Sequence, residues 1–85
     1  EFNPDSRVMP IMKYGTIGDA YSELGQLDKA HSSYTKAIGA GDNNLLTAYY
    51  LKKLGMLNEK QGDLEAAKAA YTRIQKEYPN SLEDH

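Results

Sequence analysis

Eighty-five residues suffice for one small domain with a limited core, too few to enclose a large pocket. Ten basic against twelve acidic residues leave a net charge of −2 and no single-sign field, so neither nucleic acid nor an anionic membrane is an expected partner. The apolar share of 40% is that of a chain that folds, and the absence of cysteine excludes disulfides, thiolate nucleophiles and cysteine-based zinc sites.

The chain opens on EFNPDSRVMP, which has neither the basic head nor the apolar centre of a signal peptide, and no apolar run is long enough to span a bilayer. Residues 1–10 read as a linker or as the end of a preceding repeat, because Phe2-Asn3-Pro4-Asp5-Ser6 echoes Glu77-Tyr78-Pro79-Asn80-Ser81. Tyr14, Ile17, Tyr21 and Leu24 then recur at three- and four-residue steps, which predicts a first helix with these side chains on its inner stripe. Gly25 stops it, glycine being the residue that adopts the left-handed conformation of a helix end. A second helix is expected from about Asp28 to Ile38, with Leu27, Ala30, Tyr34, Ala37 and Ile38 inward and Asp28 favouring the helix start.

Gly39 to Asn44, GAGDNN, is rich in breakers and reads as a turn, with Asn44 as the expected N-cap of a third helix. That helix carries Leu51, Leu54, Leu57 and Asn58 and stops at Gly62. A fourth follows with Leu64, Ala67, Tyr71 and Ile74, ending at Tyr78-Pro79, where proline blocks continuation.

The third and fourth helices repeat the first and second. Gly62 minus Gly25, Ala67 minus Ala30, Tyr71 minus Tyr34 and Gly55 minus Gly18 all equal 37. A fixed offset of this size marks stacked supersecondary units. Mid-helix glycines such as Gly18 and Gly55 each cost about 1 kcal/mol relative to alanine. Close helix approach is the expected compensation, with Tyr34 and Tyr71 wedged beside the small faces of Ala30 and Ala67.

These residues resemble the tetratricopeptide repeat, whose pattern is an aromatic, Leu-Gly and Tyr in the first helix, then Ala, Phe or Tyr, Ala and Pro in the second. The first copy matches with Tyr14, Ile17-Gly18, Tyr21, Ala30, Tyr34 and Ala37, and the second with Leu51, Leu54-Gly55, Ala67, Tyr71 and Pro79. Departures fall at Asp42, where proline is usual, at Asn58, where tyrosine is usual, and at Ile74, where alanine is usual. The family's unit is about 34 residues, so the longer period here places the extra residues in the GAGDNN turn. The resemblance implies an all-α chain of two tandem helix-turn-helix repeats in a short right-handed superhelical solenoid. Repeat 1 with its linker occupies residues 11–44, repeat 2 residues 45–81 and a tail residues 82–85. The texture is similar to bacterial tetratricopeptide proteins, some of which work in the cell envelope, so either the periplasmic side of that envelope or the cytoplasm is the implied location.

No catalytic constellation is visible. His31 lacks an acidic partner at a fixed spacing, His85 is terminal, and two distant histidines do not make a metal site. Asp19 and Glu23 stand four apart on one helical face but imply no third group, and Gly39-Ala40-Gly41 lacks the strand and lysine of a phosphate loop. The expected role is a non-enzymatic, cofactor-free module binding a protein or peptide. The family implies that its face is the concave one, with Met12, Gly15, Asp19, Ser22 and Glu23 in the first repeat and Tyr49, Lys52, Met56, Glu59 and Lys60 in the second. Gly15 with Asp19, and Lys52 with Met56, do not reproduce the lysine and asparagine pairing of carboxylate-clamp repeats. Two repeats are fewer than such arrays usually stack, which suggests a fragment of a longer array. An alternative role follows, a self-association element or homodimer using an uncapped flank around Leu64, Ile74 and Tyr78.

Overall fold

The computed structural model describes residues 9–40 and 43–80, which form four helices: α1, Met9–Glu23; α2, Leu27–Gly39; α3, Asn44–Lys60; and α4, Leu64–Glu77. No strand occurs among the described residues. Residues 1–8 of the expected 1–10 linker, the position of Asp42 in the turn, Ser81 and the tail with His85 lie outside them, while Met9 and Pro10 of that linker begin α1.

Both repeats turn the corner between their helices in the same way. Gly25 and Gly62 take φ of 79° and 83°, where an L side chain is strained. In the first corner the Gly25 N–H donates to the Ser22 carbonyl and the Gln26 N–H to that of Tyr21; in the second, Gly62 donates to Glu59 and Asp63 to Asn58. This is the Schellman arrangement, which satisfies the carbonyls left open at a helix end. The starts differ. Asp63 accepts a hydrogen bond from the Ala66 N–H and caps α4, whereas Gln26 precedes α2 without a side-chain cap and leaves Asp28 to complement its dipole. The cap of α3 is Asn43, accepting from the Leu46 N–H at 2.9 Å, one residue earlier than the expected Asn44. The α4 ladder closes at the Tyr78 N–H, and Pro79 follows.

α1 packs on α2 and α3 on α4, while α2 and α1 both meet α3, so the repeats stack as a helical solenoid. The helices approach closely because glycines are roofed by tyrosine rings. A Cβ on Gly18 would stand 2.6 Å from the Tyr34 ring, and one on Gly55 the same distance from Tyr71. These rings lie on the glycines themselves, a closer fit than the expected wedging beside Ala30 and Ala67. A third contact of this kind joins the repeats: Gly15 of α1 leaves its space to the Tyr50 ring of α3.

The core comprises Ile11, Ala30, Tyr34, Ala37 and Ile38 from repeat 1 and Ala48, Tyr50, Leu51, Leu57, Ala67, Ala70 and Ile74 from repeat 2. The expected inner stripe of α1 holds for Tyr14 and Tyr21, which are partly buried against the core, and is corrected for Ile17 and Leu24. Leu24 is 69% exposed and Ile17 37%, while the side of α1 that bears Ile11, Gly15 and Gly18 turns inward. The α3 counterparts of Tyr14, Ile17 and Tyr21, which are Leu51, Leu54 and Asn58, are buried or half-buried, while Gln61, the counterpart of Leu24, is exposed. Among the described residues α3 packs on both α2 and α4, whereas α1 packs mainly on α2.

Candidate functional site

A polar cluster locks the two repeats together where α1 passes α3. Asp19 accepts a hydrogen bond from the Tyr34 hydroxyl at 2.6 Å and pairs with the Lys53 ammonium at 2.9 Å. The Tyr34 and Tyr50 rings stack with centroids 6.0 Å apart, and Tyr49 meets Tyr50 edge-on at 4.9 Å. Lys53 also lies 5.0 Å from the Tyr49 ring centroid. Burial pushes the Tyr34 hydroxyl well above the ordinary tyrosine range, helped by its hydrogen bond to Asp19 and by that carboxylate's charge. Tyr50 is raised for related reasons, burial first and the Asp19 charge second. At Lys53 burial acts downward, but hydrogen bonding to Asp19 and Tyr49 and the attraction of both outweigh it, and the ammonium is held above its usual value.

Beside this cluster runs an open groove of about 510 Å³, with Ser22 of α1 on one wall, Met56, Glu59 and Lys60 of α3 on the other, and Lys53, Tyr34 and Leu57 between. The structure thus gathers Ser22, Met56, Glu59 and Lys60, four of the residues expected on the binding face. Tyr49 and Met56 are both exposed, as is Met12 near the start of α1. Glu23 and Lys52 are exposed without lining the groove. Asp19 is occupied by Tyr34 and Lys53 and acts as a structural anchor. Gly15 is buried beneath Tyr50 and offers no surface.

Lys53 is the groove residue that sequence reasoning passed over. It stands one position, about 100° of helix, from Lys52, and the angle at which α3 crosses α1 decides which of the two reaches Asp19. The sequence signal for it was the acidic Asp19 itself, which lacks a basic partner on its own helix.

The flank residues separate. Leu64 is 67% exposed, Tyr78 is half-buried against the core, and Ile74, at 1% exposed, lies inside the core because α4 turns that side onto α3. Ile74 therefore belongs to no outer surface. Where α2 presents His31 and Ile38, the equivalent positions of α4 are the exposed polar Lys68 and Gln75. Among the described residues no group of three or more His, Cys, Asp or Glu is placed to hold a metal ion, and no helix is long and apolar enough to cross a membrane.

Two family models, both described as tetratricopeptide repeat, match the chain in tandem, one over residues 14–40 and the other over residues 49–81. The chain belongs to the tetratricopeptide repeat family. Its match to Tetratricopeptide repeat protein 1 of Schizosaccharomyces pombe runs at 34% identity over 70 residues, covering 82% of this chain and 6% of that protein. An uncharacterized protein, ycf37, of Guillardia theta is similar at 40% identity over 63 residues, 74% of this chain and 34% of that one. The chain therefore spans about a third or less of the length of these curated relatives. No solved structure matches. Tetratricopeptide repeats are protein–protein interaction modules, a scaffold family rather than a catalytic one, and the glycine and tyrosine pairs at Gly18 with Tyr34 and Gly55 with Tyr71 are the places where this chain's repeats show that pattern in three dimensions.

Proposed function

We propose that the chain binds a peptide or helix of another protein in the groove between α1 and α3. The observation that carries this reading is the groove itself, where the exposed Met56 stands among Ser22, Glu59 and Lys60 with Tyr49 a turn or two away on the same helix. Methionine adapts its shape to varied apolar ligands, and tyrosine gives a large contact at small entropy cost. Lys52 and Lys60 set the charge register of the ligand, while Lys53, already held by Asp19, fixes the groove wall.

The test is selection of binding peptides from a displayed library on the immobilised chain, followed by calorimetric titration of the winners into the wild type and into Tyr49→Ala/Lys52→Glu and Met56→Glu variants. Loss of binding by both variants at unchanged helicity supports the groove. Undiminished binding places the site elsewhere. The self-association reading retains Leu64 as an exposed apolar contact but loses Ile74 to the core, and no further observation favours it.

A further inference from the structure

Among the residues lining the groove between α1 and α3, one apolar side chain stands clear of the core. Tyr34 and Leu57 are 3% and 4% exposed, whereas Met56 is 53% exposed. The rest of the lining is polar: Ser22, Lys53, Glu59 and Lys60. A ligand that covers the groove therefore takes most of its apolar contact there from a thioether.

That thioether is also oxidisable. The chain has three methionines and no cysteine, so two-electron oxidation at its sulfur atoms falls on methionine alone. Oxidation turns an adaptable apolar side chain into a polar one. The sulfoxide oxygen accepts hydrogen bonds, and the lysines three residues before and four after Met56 on α3, Lys53 and Lys60, are its neighbours on the helix surface. Lys53 is committed to Asp19 at 2.9 Å, which leaves the exposed Lys60 as the donor. An apolar ligand residue seated on oxidised Met56 would have to strip that oxygen of its water or of its lysine.

We propose that Met56 is a reversible oxidation site that closes the groove to its peptide ligand. This rests on the groove being the peptide site. The oxidant is a peroxide: the Met56 sulfur takes one oxygen of hydrogen peroxide as the O–O bond breaks, and the departing hydroxide accepts the proton left on the transferred oxygen. Sulfur is oxidised by two electrons and the peroxide is reduced to water. Methionine sulfoxide reductases, with thiols as electron donors, return the thioether.

The experiment starts from a peptide selected on the reduced chain and titrated into the chain before and after hydrogen peroxide, with mass spectrometry of peptide fragments locating the added oxygen. Oxidation at Met56 should weaken binding about tenfold or more at unchanged helicity. Incubation with both sulfoxide reductases, one for each epimer, should restore the affinity. Met12, also exposed but not part of the groove lining, supplies the control: Met12→Leu should lose affinity on oxidation as the wild type does, whereas the affinity of Met56→Leu, whatever its starting value, should not respond to peroxide. Full affinity with Met56 shown to be oxidised, a loss that persists in Met56→Leu, a loss that the reductases do not reverse, or oxidation at Met12 that spares Met56 would each overturn the proposal. Reduced Met56→Glu separates the two readings. If it binds the peptide as the wild type does, the groove reading fails and the switch fails with it; if it loses binding while the sulfoxide does not, the switch alone is wrong.

Discussion

Gly18 and Gly55 hold the same position in the two repeats, and a Cβ at either would stand 2.6 Å from a tyrosine ring. Alanine at each should nevertheless have different consequences. Helix propensity favours alanine over glycine by about 1 kcal/mol, and against this stands the displacement of the ring. Tyr71 is half-exposed, and its hydroxyl reaches only the exposed Glu59 at 3.3 Å, so the ring can swing outward. Gly55→Ala is expected within about 0.5 kcal/mol of neutral. Tyr34 is 3% exposed, stacks on Tyr50 and donates to Asp19 at 2.6 Å. Moving it costs about 1–3 kcal/mol of overpacking and strains a hydrogen bond to a charged acceptor, worth about 1.5 kcal/mol at the low end of its class because Asp19 is partly solvated. After the propensity gain, Gly18→Ala should destabilise by about 2 kcal/mol, a fall in Tm of roughly 8–16 °C for a domain of this size. Thermal unfolding followed by far-UV circular dichroism reads both variants. Equal losses, or a larger one at Gly55, would refute the argument that the freedom of the facing ring decides the outcome.

Ala67→Leu should cost about 1–3 kcal/mol by overpacking the α3–α4 contact, read as a lower urea midpoint; an unchanged midpoint contradicts the close approach. Asp19→Ala, which releases both Tyr34 and Lys53, should destabilise by about 1.5–2 kcal/mol, most of it from the hydrogen bond because the ion pair is partly exposed, and the loss should be nearly absent in a Lys53→Ala/Tyr34→Phe background. Tyr34, Tyr50, Tyr71 and Lys53 all have folded pKa values raised above their unfolded ones. Their contribution is therefore fully present below about pH 10 and is lost as pH rises through the folded values. The urea midpoint should fall in that alkaline range, and less steeply in Tyr34→Phe; a fall of equal slope in that variant would remove Tyr34 as a cause.

The repeat period, the four helices and the glycine corners were legible in the sequence because each rests on local chemistry: the left-handed φ at Gly25 and Gly62, and a tyrosine one turn beyond the small Ala30 and Ala67 in the second helix of each repeat. What was not legible depends on how one helix crosses another. Tyr14, Ile17, Tyr21 and Leu24 share a stripe, but Tyr14 and Tyr21 pack partly on the core while Ile17 and Leu24 stay exposed, because a stripe becomes core only where an element covers it. Gly15 looked like groove surface because its counterpart is the exposed Lys52, while the residue that fills its space, Tyr50, has a lysine as its own counterpart. Ile74 stands where the family usually has alanine, and its larger side chain extends the core rather than an outer flank. In the candidate site, Met56, Glu59 and Lys60 followed from the family resemblance, whereas Lys53 depended on the partner that α1 presents across the interface.

The most direct test of the account is an amide chemical-shift titration of the 15N-labelled chain with a peptide selected on it. The groove reading predicts perturbations at Ser22, Lys53, Met56 and Lys60, with Tyr49 moving in step. Perturbations confined to the outer side of α4, around Lys68 and Gln75, would contradict it.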